Sequence, residues 1–268
     1  MTVYATGVTG TIGKHLANEV IDLKVRLESP SSELNVSKFL ESDVLIHLAG
    51  KVGTGLVDED PAASHQINVL GTSFLAEKFL ANGSGRFIYV SSSHVYKNSS
   101  KPLKETDQVK PYSNYAKQKL EAEKNLLELF ERKPERLAIV RVFSVLDWHV
   151  APFTLGGAIG KLADPGSDFI LQNSSDIRDF LTPKKIAEVL LQISTCATLF
   201  GKVNLCTGIG TTVLEAAQTM LSGAGYGIPI DRIKPGVSKN PIIVGDNSKL
   251  ISHLPKLDLR WTPSTLTR

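Results

Sequence analysis

Three stretches of this chain carry residues whose types and spacing can do chemistry. In "PYSNYAKQK", Tyr115 and Lys119 are four apart on a predicted helix, so they share a face and stand about one turn from each other. A phenol with an ordinary pKa of about 10 is a poor base at neutral pH, but an ammonium beside it favours the phenolate. Such a pair suits general acid/base catalysis of a carbonyl–alcohol interconversion. In "YVSSSHVY", three hydroxyls follow an apolar run, and Ser92 is suited to donate to a substrate oxygen while Tyr115 moves the proton. In "VYATGVTGTIGKHLANEV", Gly7, Gly10 and Gly13 interrupt strand-forming residues ahead of a helical pattern. Glycines there let the backbone approach a pyrophosphate whose charge a helix N-terminus stabilises. The spacing differs from the usual G-x-G-x-x-G fingerprint, and a turn needing only positive φ would use the same residues.

These groups need a scaffold, and apolar runs alternating with helical patterns supply one, the signature of parallel β-α-β units. Residues 2–6, 24–28, 43–50, 86–92, 137–145 and 202–208 read as strands. Residues 11–22, 61–82, 113–131 and 183–194 read as helices from their apolar period. The predicted fold is α/β, a Rossmann-type doubly wound parallel sheet with a smaller C-terminal substrate-binding lobe. A dinucleotide-binding domain is expected over 1–146 and the lobe over 147–268, with 182–208 returning to the sheet. Gly156, Gly157, Gly160, Pro165 and Gly166 suggest loops and short helices early in the lobe, and five prolines from Pro229 to Pro263 an irregular tail. Ligands of such sheets bind beyond the carboxyl ends of the strands. The glycine turn, "HLAG", "VSSSHVY" and "RVFSV" all fall at those ends.

Composition narrows the class. Thirty basic residues against 27 acidic give a net charge of +3, too balanced for a nucleic-acid surface. Cys196 and Cys206 cannot form a disulfide framework and lack metal-ligand spacing, so they read as buried free thiols and no metal site is expected. No run reaches the ~18 apolar residues of a membrane span. With strand residues already at Val3 and Tyr4, no targeting segment is evident and a cytoplasmic location is expected.

Glycine turn, strand-end serine and Tyr-x-x-x-Lys in that order resemble the extended short-chain dehydrogenase/reductases, in their nucleotide-sugar epimerase/dehydratase branch. "TGVTGTIG" is similar to that branch's T-G-x-x-G-x-x-G turn, "VLIHLAG" to its fourth-strand signature and "INVLGT" to its N-x-x-G-T helix. "VSSSHVY" and "YAKQK" resemble its catalytic elements, "RDFLTPKKIAEVLL" its R-D-F/Y stretch and "VNLCTG" a later strand ending in T-G.

The resemblance implies NAD or NADP as cofactor and a nucleotide sugar as substrate. It implies that Gly7, Thr9, Gly10, Thr11, Ile12 and Gly13 hold the pyrophosphate, and that Leu48, Ala49 and Gly50 line the cofactor with Asn68 in support. It makes Ser92 the group polarising the substrate oxygen, with Ser93 beside it, and Tyr115 the acid/base. Lys119 binds the nicotinamide ribose and depresses the tyrosine pKa, and Arg178 contacts the substrate diphosphate unless an ion pair with Asp176 or Asp179 occupies it. Glu28 is the nearest acidic candidate for the adenosine ribose, but Arg26 beside it leaves NAD against NADP open. The resemblance also implies a homodimer built from helices 68–82 and 113–131. Two departures bear on the reaction. Phe143-Ser144 stands where the family has Phe-Asn, and Ser93-His94 follows Ser92 where the dehydratases carry Asp-Glu. Dehydration is therefore disfavoured, while C4 epimerisation and 4-keto-sugar reduction share the remaining groups. A non-catalytic NAD(P)-binding sensor or scaffold would keep the glycine turn without needing Tyr115.

Overall fold

The computed structural model describes residues 1–25, 27, 39–81, 85–147, 169–223, 233–236 and 241–260. Arg26, Glu28 and the glycine- and proline-rich stretch 156–166 lie outside the described residues. Six parallel strands form the main sheet: β1 (Val3–Thr6), β2 (Ile21–Asp22), β3 (Val44–His47), β4 (Arg86–Ser92), β5 (Leu137–Val142) and, after four short strands, β10 (Gly201–Leu205). Their order across the sheet is β10-β5-β4-β3-β1-β2. The short strands are β6 (Ser144–Val145), β7 (Phe169–Leu171), β8 (Ile177–Arg178) and β9 (Phe180–Leu181). β6 pairs with β9, and β8 lies between β11 (Thr211–Thr212) and the strand Ile242–Ile243.

The sheet is apolar on both faces because each face carries a helical layer, as parallel sheets require. Alternate residues divide between the layers. Phe87 and Tyr89 of β4 and Leu137 and Ile139 of β5 pack with Leu75, Phe79 and Leu126. These belong to α3 (Thr72–Ala81) and α4 (Asn114–Leu129), which follow α1 (Thr54–Glu59), α2 (Pro61–His65) and a π-helical turn over Gln66–Gly71. Ile88, Val90, Val140 and Val203 face the other way, onto Ile186, Leu190 and Ile193 of α5 (Pro183–Thr195) and Leu250 of a short helix, Ser248–His253. Ser113 caps α4 by accepting from Ala116 N, and Thr182 caps α5 by accepting from Lys185 N.

The first crossover departs from the sequence expectation. The helix expected over 11–22 is replaced by a single 3-10 turn, Gly13–His15, and a two-residue strand at Ile21–Asp22, and Lys24, Val25 and Leu27 of the strand expected over 24–28 lie outside any strand. Ile21 pairs with Tyr4, so the chain must return to the sheet edge a few residues after the glycine turn. Of the 14 residues between Thr6 and Ile21 the glycine turn takes the first seven, and the seven left, under two helical turns, must also return the chain to the sheet edge, so the helical period of "TIGKHLANEV" is overridden. The cysteines also divide: both are free, but Cys206 is buried and Cys196 only partly so.

Candidate active site

The glycine turn follows β1 at the carboxyl rim of the sheet. Gly7 has φ +72°, and a Cβ there would lie 2.7 Å from Ala49 N, so both conformation and neighbour require glycine. A Cβ on Gly13 would collide with the Gly7 carbonyl and Val8. Gly10 is different: its Cβ would meet only Gly7 O, at 3.2 Å, and otherwise open space. The backbone N–H groups of Thr11 and Ile12 find no acceptor among the described residues. Open space over Gly10 beside unpaired N–H donors suits an anionic ligand, so the residues present fit a dinucleotide pyrophosphate. The short 3-10 turn behind them aligns fewer peptide dipoles than a full helix would. Thr9, Thr11 and Ile12 lie on the same turn, with Thr9 exposed.

A buried hydrogen-bond chain joins this turn to the next strand. Thr72 Oγ1 donates to the Asn68 carbonyl at 2.9 Å and therefore accepts from His47 Nε2, 3.0 Å away. His47 Nδ1 then accepts from Thr6 Oγ1 at 2.7 Å, and Thr6 Oγ1 accepts from Ala49 N at 3.2 Å. The chain fixes one neutral tautomer, and burial pushes the His47 pKa down to about 3, with Lys119 acting in the same direction. Leu48, Ala49 and Gly50 are thereby held beside the glycine turn. Asn68 commits its whole amide to the protein: Oδ1 accepts from Lys51 N at 2.8 Å, while Nδ2 donates to Lys51 O and Gln118 Oε1. Its side chain braces the backbone after Gly50 against α4.

Ser92, Tyr115 and Lys119 converge where β4 ends against the first turns of α4. Ser92 lies close enough to Tyr115 for its hydroxyl to favour the phenolate, and His94 N donates to Ser92 Oγ at 3.2 Å. Lys119 Nζ donates to Val90 O at 2.9 Å and lies 4.8 Å from the Tyr89 ring centroid. Burial pushes Tyr115 up to about 12, with the Ser92 hydroxyl opposing it. The expected depression by Lys119 is not what governs this phenol; burial wins, and Tyr115 holds its proton at neutral pH. Burial also lowers Lys119 to about 8, with Glu123 opposing.

The three serines separate. Ser92 faces Tyr115, Ser93 is buried in the 3-10 turn Ser93–Val95, and Ser91 turns to the α4 face and donates to Glu123 Oε1 at 2.6 Å. Glu123 is in turn bound by Arg141 of β5, with Nη2 to Oε2 at 2.6 Å and both side chains at most 1% exposed. Sequence reasoning missed this pair. Its signals were an arginine inside the apolar run "LAIVRVF" and a glutamate four residues after Lys119.

Arg178 on β8 does bond Asp176, at 3.0 Å, and remains 23% exposed. It also lies near enough to His94 for its charge to act on that imidazole. His94 is exposed, its ring edge-on to Tyr115 with centroids 6.1 Å apart. The neighbouring Asp179 is fully buried and accepts from Thr207 N, Thr207 Oγ1, Gly208 N and Gly245 N. The "RDF" and "CTG" stretches, far apart in sequence, are thus fastened through one carboxylate.

A parallel sheet with a glycine-rich phosphate turn and a Ser–Tyr–Lys cluster at its carboxyl rim defines a dinucleotide-binding α/β protein. The chain belongs to the NAD dependent epimerase/dehydratase family, whose model matches residues 3–199. Nicotinamide dinucleotide is accordingly its cofactor class. It is 29% identical over 243 residues to a GDP-6-deoxy-D-mannose reductase of Pseudomonas aeruginosa, covering 81% of this chain and 78% of that protein. It is 27% identical to UDP-glucose 4-epimerase 4 of Oryza sativa subsp. japonica, covering 70% of this chain and 58% of the relative. The fold matches the structure of RMD from Pseudomonas aeruginosa complexed with NADPH, with a TM-score of 0.83 at 22% identity, over 99% of this chain and 96% of that one. Among the described residues, no helix is long and apolar enough to cross a membrane.

Proposed function

We propose that the protein is an NAD(P)-dependent oxidoreductase that reduces a 4-keto nucleotide sugar, using Ser92, Tyr115 and Lys119. The observation that carries this reading is the buried Tyr115 phenol, held protonated beside Ser92 and one helical turn from the Lys119 ammonium. When bound, the nicotinamide dinucleotide supplies the hydride. Ser92 donates a hydrogen bond to the substrate carbonyl oxygen, and Tyr115 Oη delivers its proton to that oxygen as negative charge develops there. Lys119 spends one of its three N–H donors on Val90 O and keeps two for the nicotinamide ribose. The turn Gly7–Gly13 cradles the pyrophosphate, Leu48, Ala49 and Gly50 flank it, and Arg178, which spends Nη2 on Asp176, turns its other N–H groups to the substrate diphosphate.

The curated relatives, a nucleotide-sugar reductase and nucleotide-sugar epimerases, support the substrate class. Ser93-His94 offers no carboxylate after Ser92, which speaks against dehydration. C4 epimerisation is the second reading, favoured by the rice relative; it uses the same residues but needs Tyr115 first as a phenolate to accept the proton, the form that burial disfavours. The test is the change in nicotinamide absorbance when a 4-keto nucleotide sugar is added to protein loaded with reduced dinucleotide. Tyr115→Phe is expected to lower turnover by ~10²-fold or more while dinucleotide affinity is kept. Most of the turnover surviving in that variant overturns the mechanism.

A further inference from the structure

We propose that the buried Glu123–Arg141 pair is a positioning unit for Lys119, keeping its amine charged and its free N–H donors aimed at the carboxyl rim. The inference rests on reading Lys119 as the group that holds the nicotinamide ribose.

Lys119 stands among groups that would otherwise neutralise it. It is 5% exposed, with the Tyr89 ring on β4, neutral His47 on β3 and the protonated Tyr115 on its own helix around it. Val90 O and the Tyr89 ring face stabilise a cation, but neither carries a full negative charge. Burial in such surroundings disfavours an ammonium. The carboxylate that acts on it is Glu123, one helical turn further along α4.

Glu123 cannot do this without being held. A lone carboxylate in the α4 layer would itself be driven to protonate. Arg141 Nε lies 3.0 Å from Oε1 and 3.3 Å from Oε2, Nη2 lies 2.6 Å from Oε2, and Ser91 Oγ donates to Oε1 at 2.6 Å. Arg141 is fixed in turn by the Tyr96 ring, 4.6 Å from its Cζ, and by a bond from Nη1 to Glu105 O at 3.4 Å. Tyr96 donates to Asn204 Oδ1 at 2.6 Å on β10. A continuous chain of polar contacts therefore runs from the edge strand β10, beneath the rim, to the residue beside Lys119. Three of its members, Ser91, Arg141 and Asn204, sit on adjacent parallel strands, where Ser91 is in register with Arg141 and Arg141 with Asn204. Repeating one face across three strands is what lets a helix residue be locked from below.

A structural brace alone would change stability. A brace that also charges Lys119 must move that amine's own titration. The direct measurement is the Lys119 titration in the dinucleotide-free protein, by NMR of ¹³Cε-labelled lysine with the Lys119→Arg spectrum for assignment. In Glu123→Gln the midpoint is expected to fall by about one pH unit or more, so that about tenfold less ammonium survives at mildly alkaline pH. The alkaline loss of dinucleotide affinity should move to lower pH by the same amount, and Glu123→Asp should recover part of both. If Glu123→Gln leaves Arg141 unpaired and the protein does not fold, Glu123→Gln combined with Arg141→Met removes both charges and carries the same expectation. A folded variant with an unmoved Lys119 titration overturns the proposal, even if Tyr115→Phe has confirmed the reaction. A shifted titration in a protein that turns over no nucleotide sugar sustains the proposal and rejects the substrate reading instead.

Discussion

Two arginines are buried on neighbouring strands at opposite ends of the sheet, and they solve the cost of a buried charge differently. Arg86 opens β4 at the amino rim and donates only to neutral carbonyls: Ile193 O at 2.5 Å, Cys196 O at 2.6 Å and Leu199 O. These carbonyls belong to the end of α5 and the turn beyond it, where the peptide dipoles leave partial negative charge. Arg141, near the carboxyl end of β5, faces a full carboxylate. Burial pushes the Arg86 pKa down, whereas Glu123 outweighs burial and pushes that of Arg141 up. At the amino rim a cation fastens a helix to the sheet and nothing reacts. At the carboxyl rim the same side chain orders a charge network that ends at Lys119.

That contrast can be broken from either end. The largest expected effect is on stability: Arg86→Met removes three charge-assisted bonds to the C-terminus of α5 and should cost about 3 kcal/mol of unfolding free energy. Denaturant unfolding measures it, and turnover per folded molecule should be unchanged. If turnover falls with stability, the two rims are not separable. Next, Arg178→Ala should raise KM for a nucleotide sugar roughly ten- to a hundredfold while dinucleotide affinity holds. Steady-state kinetics check this, and an unchanged KM removes Arg178 from the diphosphate site. The smallest effect is asked of the glycine turn. Gly10→Val should weaken dinucleotide binding about tenfold by filling the open space above the turn, with little loss of fold. Gly13→Ala should instead lower stability, because its Cβ would meet backbone. Calorimetric titration and thermal unfolding of both variants separate a ligand cradle from a turn that needs glycine for itself.

The sequence showed the strands that carry the site, because buried parallel strands are short uninterrupted apolar runs. "RFIYVSS" predicts a strand at 86–92 and forms β4 over those residues. The order of Ser92, Tyr115 and Lys119 was equally legible, since all three are set by position along one strand and one helix. What periodicity cannot give is the partner across two elements. It places Glu123 on the inner face of α4 and Arg141 on one face of β5, but their meeting depends on the register of β4 with β5 and on how α4 crosses them. The first crossover failed for a related reason. "TIGKHLANEV" has helical spacing, yet the position of Ile21 beside Tyr4 is a property of the sheet.

The bond from Arg86 to Ile193 joins residues 107 apart in the chain, and β10 enters the sheet beside β5 only after residues 143–200. Contacts of such sequence separation carry a large loop-closure entropy before they contribute any stabilising contact, and proteins rich in them fold slowly. During synthesis, β1 to β5 and α4 emerge well before α5 and β10. In that interval the apolar face formed by Ile88, Val90 and Val140 has no helix over it, and Arg86 has no carbonyls to bind. The guanidinium that fastens α5 thus acts as a late latch, and the exposed strand face before it closes is the window in which this protein is open to misassembly.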